Sequence, residues 1–281
     1  MQLQSEGRKD CLGTVSLFDV VRTAINQIRN STRYFCRVEF FYSENITGNE
    51  ILLGDDESHH CLKVMRHHLG DELMVTDGKG KLFRAILESE RKKNCVLKVL
   101  EISREESQVS PAIHIAIAPT KNIDRFEWFL EKATEIGVTE ITPIICQRSE
   151  RDKIKHERLE KILIGAMKQS LRLWMPKLNE MISIKNFFTH DSQLAPINRG
   201  LTTHDFICHC QSPNIPALKS LCQASEDVTI MIGPEGDFTP EEIGLAEANG
   251  FTGVTLGKNR LRTETAGIVS LTIVQNINNL L

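Results

Sequence analysis

The stretch VTIMIGPEGDFTPEEIGLAEANG, residues 228–250, contains a complete strand–loop–helix unit. VTIMIG is a continuous apolar run with the length of a strand that a parallel sheet buries on both faces. The helix that follows has Thr239 as N-cap, Pro240 at its first position, Glu242 at the capping-box position and Gly250 after its end. The stretch therefore predicts one repeat of an alternating α/β fold, with a glycine loop at the carboxyl end of the strand.

The same alternation extends from Pro111 to the end of the chain. Strands are predicted in AIHIAIA, EITPIIC, DFICHC and GVTLG, and helices in DRFEWFLEKATEIG, HERLEKILIGAMKQSLRL and TAGIVSLTIVQNINNLL. Gly137 ends the first of these helices, and the second is expected to stop before Pro176. Alternating strands and helices predict an α/β fold with a mostly parallel sheet and helices on both faces, and ligands bind such sheets beyond the carboxyl ends of the strands.

The chain before Pro111 has a different pattern. RVEFFY, DELMVTD, KLFRAIL and CVLKVLEI are short alternating runs, and DGKG at 77–80 joins two of them as a hairpin turn. DDESHHCLKVMRHHLGD predicts one or two helical turns that Gly70 stops. We therefore expect three parts, namely a small β-barrel domain at 37–110, an α/β domain at 111–281 and a poorly ordered extension at 1–36.

Composition limits the class of protein. The 281 residues are 41% hydrophobic and 25% charged, which is typical of a soluble globular protein. No apolar run is long enough to span a bilayer, and the first ten residues lack the apolar core of a signal peptide. Eight cysteines without framework spacing indicate reduced thiols and a cytoplasmic location. We predict no metal site, because paired histidines such as His59 and His60 lack further ligands at convincing spacing.

Charge is distributed unevenly along the chain. The net charge of −3 argues against a nucleic-acid partner unless basic residues are clustered. Residues 147–177 contain nine lysines and arginines against four acidic residues, a local charge of +5. Such a segment could attract RNA phosphates, but a solvated helix face with ion pairs has the same composition. The segment alone favours neither interpretation.

Two glycine loops follow neighbouring predicted strands, GPEGDFTPEE after VTIMI and GKNRLRTETAG after GVTL. Neither contains GxGxxG or the P-loop pattern, which removes most support for dinucleotide and triphosphate cofactors. Tight turns at two adjacent strand ends would form a narrow slot, suited to a flat ligand held by backbone groups.

MIGPEGDFTPEEI together with LGKNRLRTETAG closely resembles the RsmE family, which methylates N3 of a uridine in small-subunit ribosomal RNA. Four other blocks resemble signatures of that family: TKNIDRFEWFLEKATEIGVTEITPIICQRS, AMKQSLRLWMP, SHHCLKVMRHHLGD and EFFYSENI. The resemblance covers roughly Glu39 to Leu281. Two departures are visible: Asp237 stands where many relatives have glycine, and Lys258-Asn259 where many have Pro-Arg.

The resemblance implies a PUA-like RNA-binding barrel followed by a SPOUT methyltransferase domain with a trefoil knot. It implies S-adenosylmethionine as cofactor, 16S ribosomal RNA in the assembled small subunit as substrate, and a homodimer with no membrane partner. The expected cofactor-binding residues are His209, at the end of a strand that borders the slot, and, in or beside the two knot loops, Ile232, Gly233, Pro234, Glu235, Gly236, Leu256, Gly257, Leu261, Thr263 and Ala266. The expected RNA-binding residues are His59, His60, Arg66, Arg148, Arg151 and Arg172.

The chemistry suggests two catalytic candidates in the second glycine loop. Loss of the N3 proton places negative charge on N3 and the flanking carbonyl oxygens, and an oriented cation stabilises such charge. Arg262 is expected to supply it through its planar guanidinium. Glu264 is the nearest candidate base, although a structural role, orienting Arg262 or capping the last helix, is placed first. A ribose 2′-O methyltransferase of the same fold and a non-catalytic RNA-binding protein remain alternatives.

Overall fold

Two β-sheets organise the computed structural model, which describes residues 39–90, 94–108, 110–189, 203–211 and 214–280. The first sheet contains β1 (Phe40–Tyr42), β2 (Ile46–Thr47), β3 (Glu50–Leu52), β4 (Glu72–Thr76), β5 (Lys81–Ser89) and β6 (Val96–Glu105), in the order β1-β4-β5-β6-β3-β2. Its strands pair antiparallel except for β1 with β4. Buried side chains such as Phe41, Val75 and Leu97 form its core. The predicted small β domain is confirmed.

A short helical segment connects β3 to β4. Helix α1 (Asp55–His59) continues directly into a π-helical turn, His60–Val64. Arg66 then adopts a left-handed backbone conformation with φ 59°. The helical segment therefore ends before Gly70, and the prediction that Gly70 stops it is wrong.

The second sheet contains β7 (Ile113–Ile117), β8 (Glu140–Ile145), β9 (Lys177–Leu178), β10 (Ile182–Ser183), β11 (Thr203–Cys208), β12 (Asp227–Ile232) and β13 (Thr252–Val254). The order is β10-β8-β7-β12-β11-β13, with β9 also beside β8. These strands pair in parallel. The structure confirms the predicted parallel sheet and adds β9 and β10, which are too short to show an apolar pattern.

Helices cover both faces of this sheet, as predicted. They are α2 (Ile123–Ile136), α3 (His156–Gln169), α4 (Ile184–Thr189), α5 (Leu218–Leu221), α6 (Pro240–Ala248) and α7 (Thr263–Ile277). Alternate residues of β7 enter different cores, because successive side chains of a strand point to opposite faces. Ile115 packs in a core shared with α2, α3 and α7, and Ala116 in one shared with α4 and α6. No helix in the described ranges is long and apolar enough to cross a bilayer.

The predicted start and end signals of α6 are present. The Thr239 hydroxyl accepts from the Glu242 amide at 3.3 Å, and the Glu242 carboxylate accepts from the Thr239 amide at 2.9 Å. Gly250, directly after the helix, has φ 89°. This reciprocal pair satisfies two amide groups that the first turn of a helix leaves without partners.

Helix α3 ends at Gln169, earlier than the proline signal indicated. Leu171 has φ 56°, and the chain then turns towards the first sheet. There the Leu173 carbonyl accepts from the Gly80 amide at 3.0 Å, and the Met175 amide donates to the Gly78 carbonyl at 2.9 Å. The DGKG turn therefore closes the β4–β5 hairpin, as predicted, and also binds the segment after α3.

Glycine is required at Gly80 for a packing reason. Its φ is 100°, and an added Cβ would lie 2.5 Å from the Glu106 carbonyl oxygen and 2.7 Å from the Trp174 ring. Two ion pairs reinforce the same contact between domains: Lys161 lies 2.7 Å from Asp56, and Lys168 lies 2.5 Å from Glu57. The small domain is thus fixed to α3 and the segment that follows it.

Other expectations stay predictions. The extension at 1–36 lies outside the described residues. The trefoil knot and the domain boundaries at 37–110 and 111–281 likewise remain predictions.

A buried polar cluster lies at the end of the parallel sheet where β7 and β8 begin. His114 Nε2 lies 2.7 Å from Thr142 Oγ1, and Asn179 donates to Glu140 at 2.6 Å and to Thr142 at 2.7 Å. Burial lowers the pKa of His114 from 6.5 to about 4, with Lys177 adding to the decrease and Glu140 opposing it. The imidazole is therefore neutral at pH 7.

This pKa predicts that stability falls in mild acid. Because the folded-state pKa is the lower one, stabilisation is complete above the unfolded pKa of 6.5 and is lost as the pH falls towards 4. The contribution of His114 should decrease by about 2 kcal/mol between pH 7 and pH 5. Urea unfolding at both pH values should show this loss, and His114→Gln should reduce it by that amount. His59→Gln, at an exposed position, is the control; equal pH dependence in all three proteins would contradict the assignment.

Candidate active site

A cavity of about 300 Å³ lies at the carboxyl ends of β11, β12 and β13. This is the edge of the sheet at which parallel α/β folds bind ligands. Three chain segments form its wall: Cys208, His209 and Cys210; Ile232, Gly233, Pro234, Glu235 and Asp237; and Thr255, Leu256, Gly257, Asn259, Arg260, Leu261, Arg262, Thr263 and Ala266. We call residues 233–238 the β12 loop and residues 255–262 the β13 loop.

The two glycine loops contact each other, as the sequence predicts for adjacent strand ends. Arg260 donates to the Glu235 carbonyl at 3.1 Å, and Thr263 Oγ1 donates to the Gly233 carbonyl at 3.1 Å. Gly257 has φ 145°, and a Cβ added there would meet no protein atom within 4 Å. The β13 loop therefore presents bare backbone to open space at the cavity wall.

Asp237 stabilises the turn of the β12 loop in a conformation that glycine favours. Its φ is 64°, a left-handed conformation that glycine adopts freely and that aspartate tolerates better than most residues. One carboxylate oxygen accepts from the Phe238 amide at 2.8 Å, and the other accepts from the Cys210 amide at 3.1 Å. The side chain thus stabilises its own turn and joins the β12 loop to the end of β11.

Further bonds hold the β12 loop from the other side. Arg148 donates to the carbonyls of Gly236 at 2.8 Å and Phe238 at 3.3 Å. The Glu235 carboxylate accepts from the Lys121 amide at 2.9 Å. Loops that follow β7, β8, β11 and β13 are therefore all bonded to this one loop, which fixes the cavity wall before a ligand arrives.

The predicted cofactor residues lie at the cavity wall with one exception. His209, Ile232, Gly233, Pro234, Glu235, Leu256, Gly257, Leu261, Thr263 and Ala266 line it. Gly236 does not, and an added Cβ there would lie 3.1 Å from Arg148 Cβ. The sequence interpretation missed Cys208, Asp237, Thr255, Asn259 and Arg260. Of these, Asp237, Asn259 and Arg260 lie within the two quoted glycine loops and could have been included.

The two predicted catalytic residues occupy different positions. Arg262 is exposed, lines the cavity and is the N-cap residue of α7. Glu264 is buried in the first turn of α7, outside the cavity lining, with Oε1 4.0 Å from Arg125 Nε. A carboxylate in the first turn of a helix is stabilised by the positive end of the helix dipole. The geometry therefore favours a structural role for Glu264, and catalysis by either residue stays a prediction.

Three predicted RNA-binding arginines use their guanidinium groups within the protein. Besides the bonds of Arg148, Arg151 donates to the carbonyls of Thr120 at 3.0 Å and Lys121 at 2.7 Å. Arg172 donates to two carbonyls at the end of α2, Glu135 at 3.0 Å and Ile136 at 2.8 Å. Burial lowers the pKa of Arg172. RNA contact by these arginines stays a prediction, but a positioning role accounts for their geometry.

The remaining RNA-binding candidates lie on the small domain. His59 ends α1, His60 begins the π-helical turn, and Arg66 follows it. His59 and Arg66 are exposed, whereas the partly buried His60 ring lies 5.9 Å from the Phe41 ring. Within the described ranges, no group of three or more His, Cys, Asp or Glu side chains is placed to hold a metal ion.

The chain is similar to known RNA methyltransferases. The family model for an RNA methyltransferase domain matches residues 106–275, and the model for an RNA methyltransferase PUA domain matches residues 53–100. The chain is 31% identical to ribosomal RNA small subunit methyltransferase E of Synechocystis sp., covering 81% of this chain and 73% of that protein. It is 28% identical to the protein of the same name from Rickettsia conorii, covering 80% and 88%.

Solved structures give the same result. A probable rRNA-methyltransferase from Porphyromonas gingivalis is 38% identical, with a TM-score of 0.75 over 86% of this chain and 98% of that one. Ribosomal RNA small subunit methyltransferase E from Neisseria gonorrhoeae, bound to S-adenosyl methionine, is 27% identical, with a TM-score of 0.70 over 86% and 98%. Since both domain models and full-length relatives match, this chain belongs to the RsmE family of small-subunit ribosomal RNA methyltransferases.

Proposed function

We propose that this protein transfers a methyl group from S-adenosylmethionine to N3 of a uridine in 16S ribosomal RNA. The observation that carries the proposal is the cavity between the two glycine loops, with Arg262 at its wall. The family assignment supports the same reaction. Two relatives, from Legionella pneumophila and Neisseria gonorrhoeae, have solved structures described as bound to this cofactor.

The residues of the cavity fit S-adenosylmethionine. The open space beside Gly257 allows the adenosine part to approach the backbone closely. The apolar side chains of Ile232, Leu256 and Leu261 would contact the adenine base, and the negative charges of Glu235 and Asp237 at the cavity wall would favour a positively charged ligand. Such a mixture of apolar walls and a few polar groups is typical of small-molecule sites.

The cofactor would supply a methyl group on a positively charged sulfonium sulfur. N3 of the uridine would accept this methyl group, S-adenosylhomocysteine would leave, and the N3 proton would pass to solvent. Arg262 would stabilise the negative charge on N3 and the neighbouring carbonyl oxygens. The bonded loops would hold the reacting groups in line, which removes much of the entropic cost of bringing them together.

The direct test uses 16S ribosomal RNA from a strain that lacks this protein. Incubation with the protein and S-adenosylmethionine should add one methyl group, and fragment mass mapping should place it on a uracil base. A methyl group on ribose would instead support the 2′-O methyltransferase. Failure to bind the cofactor in calorimetry would support the non-catalytic RNA-binding protein. We also propose that the assembled small subunit is the natural substrate, and methylation of free RNA should therefore be slower than methylation of assembled small subunits.

We also propose that the protein is a cytoplasmic homodimer. Helices α2 and α7 pack side by side, and Trp128 on α2 is 44% exposed. Ile268 and Ile273 of α7 are partly exposed, and a contiguous apolar patch formed by these residues and Trp128 would be buried between two copies of the chain. Sedimentation equilibrium would show a dimer, and a monomer at micromolar concentration would contradict this proposal.

Substitution at Gly257 should remove cofactor binding. In Gly257→Val the new side chain would enter open space at the cavity wall, and the positive φ adds strain that moves the β13 loop. We expect calorimetric affinity for S-adenosylmethionine to fall by about tenfold or more, comparable to losing one well-placed contact. Gly250→Val is the matched control, because Gly250 also has a positive φ with no atom within 4 Å of the added Cβ but lies outside the cavity lining. Equal affinities in both variants would contradict the assignment.

A further inference from the structure

A second concave surface lies beside the cofactor cavity. It has a volume of about 520 Å³ and lies between α2 and the segment that leads into α3. We call it the basic groove; its lining includes Ile123, Lys153, Ile154, Lys155 and Leu159. Leu159 is buried and Ile154 partly buried, whereas both lysines are exposed. The groove therefore has an apolar floor and a positively charged rim.

The arginines of the groove are bonded within the protein, whereas its two lysines are in no ion pair with a described residue. Arg158 makes two bonds to Glu127, at 2.6 and 2.8 Å, so these two side chains neutralise each other. Arg151 is bonded to the backbone carbonyls of Thr120 and Lys121. Among the residues that the structure describes, no ion pair involves Lys153 or Lys155. The basic segment 147–177 thus contains arginines that hold loops in place and two lysines whose ammonium groups face solvent.

The groove is connected to the active site by bonded residues. Arg151 lines the groove and holds the carbonyls of Thr120 and Lys121. The Lys121 amide, in turn, donates to the carboxylate of Glu235, which lines the cofactor cavity. A polymer with its target nucleotide beside the cofactor cavity can therefore extend along the loops that lead to the groove.

We propose that the basic groove binds the phosphate backbone of the ribosomal RNA strand next to the target nucleotide, through Lys153 and Lys155. This inference rests on the proposed function and specifies where its substrate lies. Charge complementarity supports it, because these lysines can replace the counterions of neighbouring phosphates. The apolar floor formed by Ile123 and Leu159 can receive the faces of ribose or base. The proposal assigns RNA contact to these lysines and leaves Arg148 and Arg172 with a positioning role.

The test measures how salt changes RNA binding. A labelled 16S fragment that the unaltered protein methylates is titrated with Lys153→Gln, Lys155→Gln and the double variant, over a range of potassium chloride concentrations. The double variant should bind about tenfold or more weakly at low salt. The slope of log affinity against log salt should become shallower by about 1.4, because each phosphate contact on a single strand contributes about 0.7.

A lysine outside the groove provides the matched control. Lys185→Gln removes one exposed lysine from α4 and should leave the slope unchanged. Affinity for S-adenosylmethionine and the melting temperature should also be unchanged in the groove variants. An unaltered slope in the active double variant would overturn the proposal. A change of oligomeric state without a change of slope would also overturn it, because the groove would then bind a second copy of the chain. Failure of the proposed function would differ, because the unaltered protein would then methylate no RNA.

Discussion

Arg262→Ala should lower the rate of methyl transfer on the saturated enzyme by a factor of about 100 to 1,000. Arg262 lines the cavity from the N-cap position of α7, so its backbone is anchored while its exposed side chain is available to substrate. The charge that it would stabilise develops only as N3 loses its proton, and such an interaction accelerates the reaction without tightening ground-state binding. Single-turnover measurements at saturating cofactor and RNA, together with both affinities, provide the test.

Two related variants show which property of Arg262 matters. Arg262→Lys keeps the charge but loses the planar fork, so the rate should still fall. Arg260→Ala is the matched control in the same loop, because the Arg260 guanidinium is bonded to the Glu235 carbonyl and its loss should weaken cofactor binding instead. If Arg262→Ala keeps its full rate on saturated enzyme and loses only affinity, Arg262 is a binding residue and the proposed mechanism is wrong.

Glu264 is expected to behave differently from a catalytic base. It is buried in the first turn of α7 near Arg125, so Glu264→Gln should lower the melting temperature and leave the pH dependence of the rate unchanged. A large loss of rate with a shifted pH profile would instead identify the carboxylate as the base.

Gly267→Ala should destabilise the protein by about 1–3 kcal/mol, the usual cost of inserting atoms into a well-packed core. Gly267 is the point where α7 packs against α2 and β7. An added Cβ would lie 2.5 Å from Phe129 Cε2 and 3.0 Å from Ile117 Cδ1. Both neighbours are fully buried and have no free space to move into. Because α7 begins directly after Arg262, displacement of this helix should also lower activity.

Thermal and urea unfolding would measure this loss, and a second glycine provides the control. Gly165 lies within α3, where an added Cβ meets no atom within 4 Å. Gly165→Ala should therefore increase stability by about 0.5–1 kcal/mol, because alanine favours the helical backbone. Equal stability of the two variants would contradict this prediction. It would mean that the Phe129 ring can move away and that α7 and α2 are not closely packed at Gly267.

Several features of the structure could be predicted because their causes are local. The apolar runs at 113–117 and 228–232 form buried strands, since each carries its own hydrophobic pattern. Thr239 and Glu242 begin α6 because the two residues of a capping box are only three positions apart. The two glycine loops gave the position of the cavity, since carboxyl ends of neighbouring parallel strands meet at one edge of a sheet.

The sequence alone determined the α/β repeat, the small β domain and the loops that form the site, because these depend on the order and spacing of neighbouring residues. Only the tertiary structure decided what the basic segment does. Arg148 bonds to a carbonyl 88 positions away, and Arg172 to one 37 positions away, whereas Lys153 and Lys155 line the basic groove. In the amino-acid composition, these two arginines and two lysines are equivalent positive charges. Which cation is used internally and which faces solvent depends on contacts between distant parts of the chain, and these exist only after the sheet has brought them together.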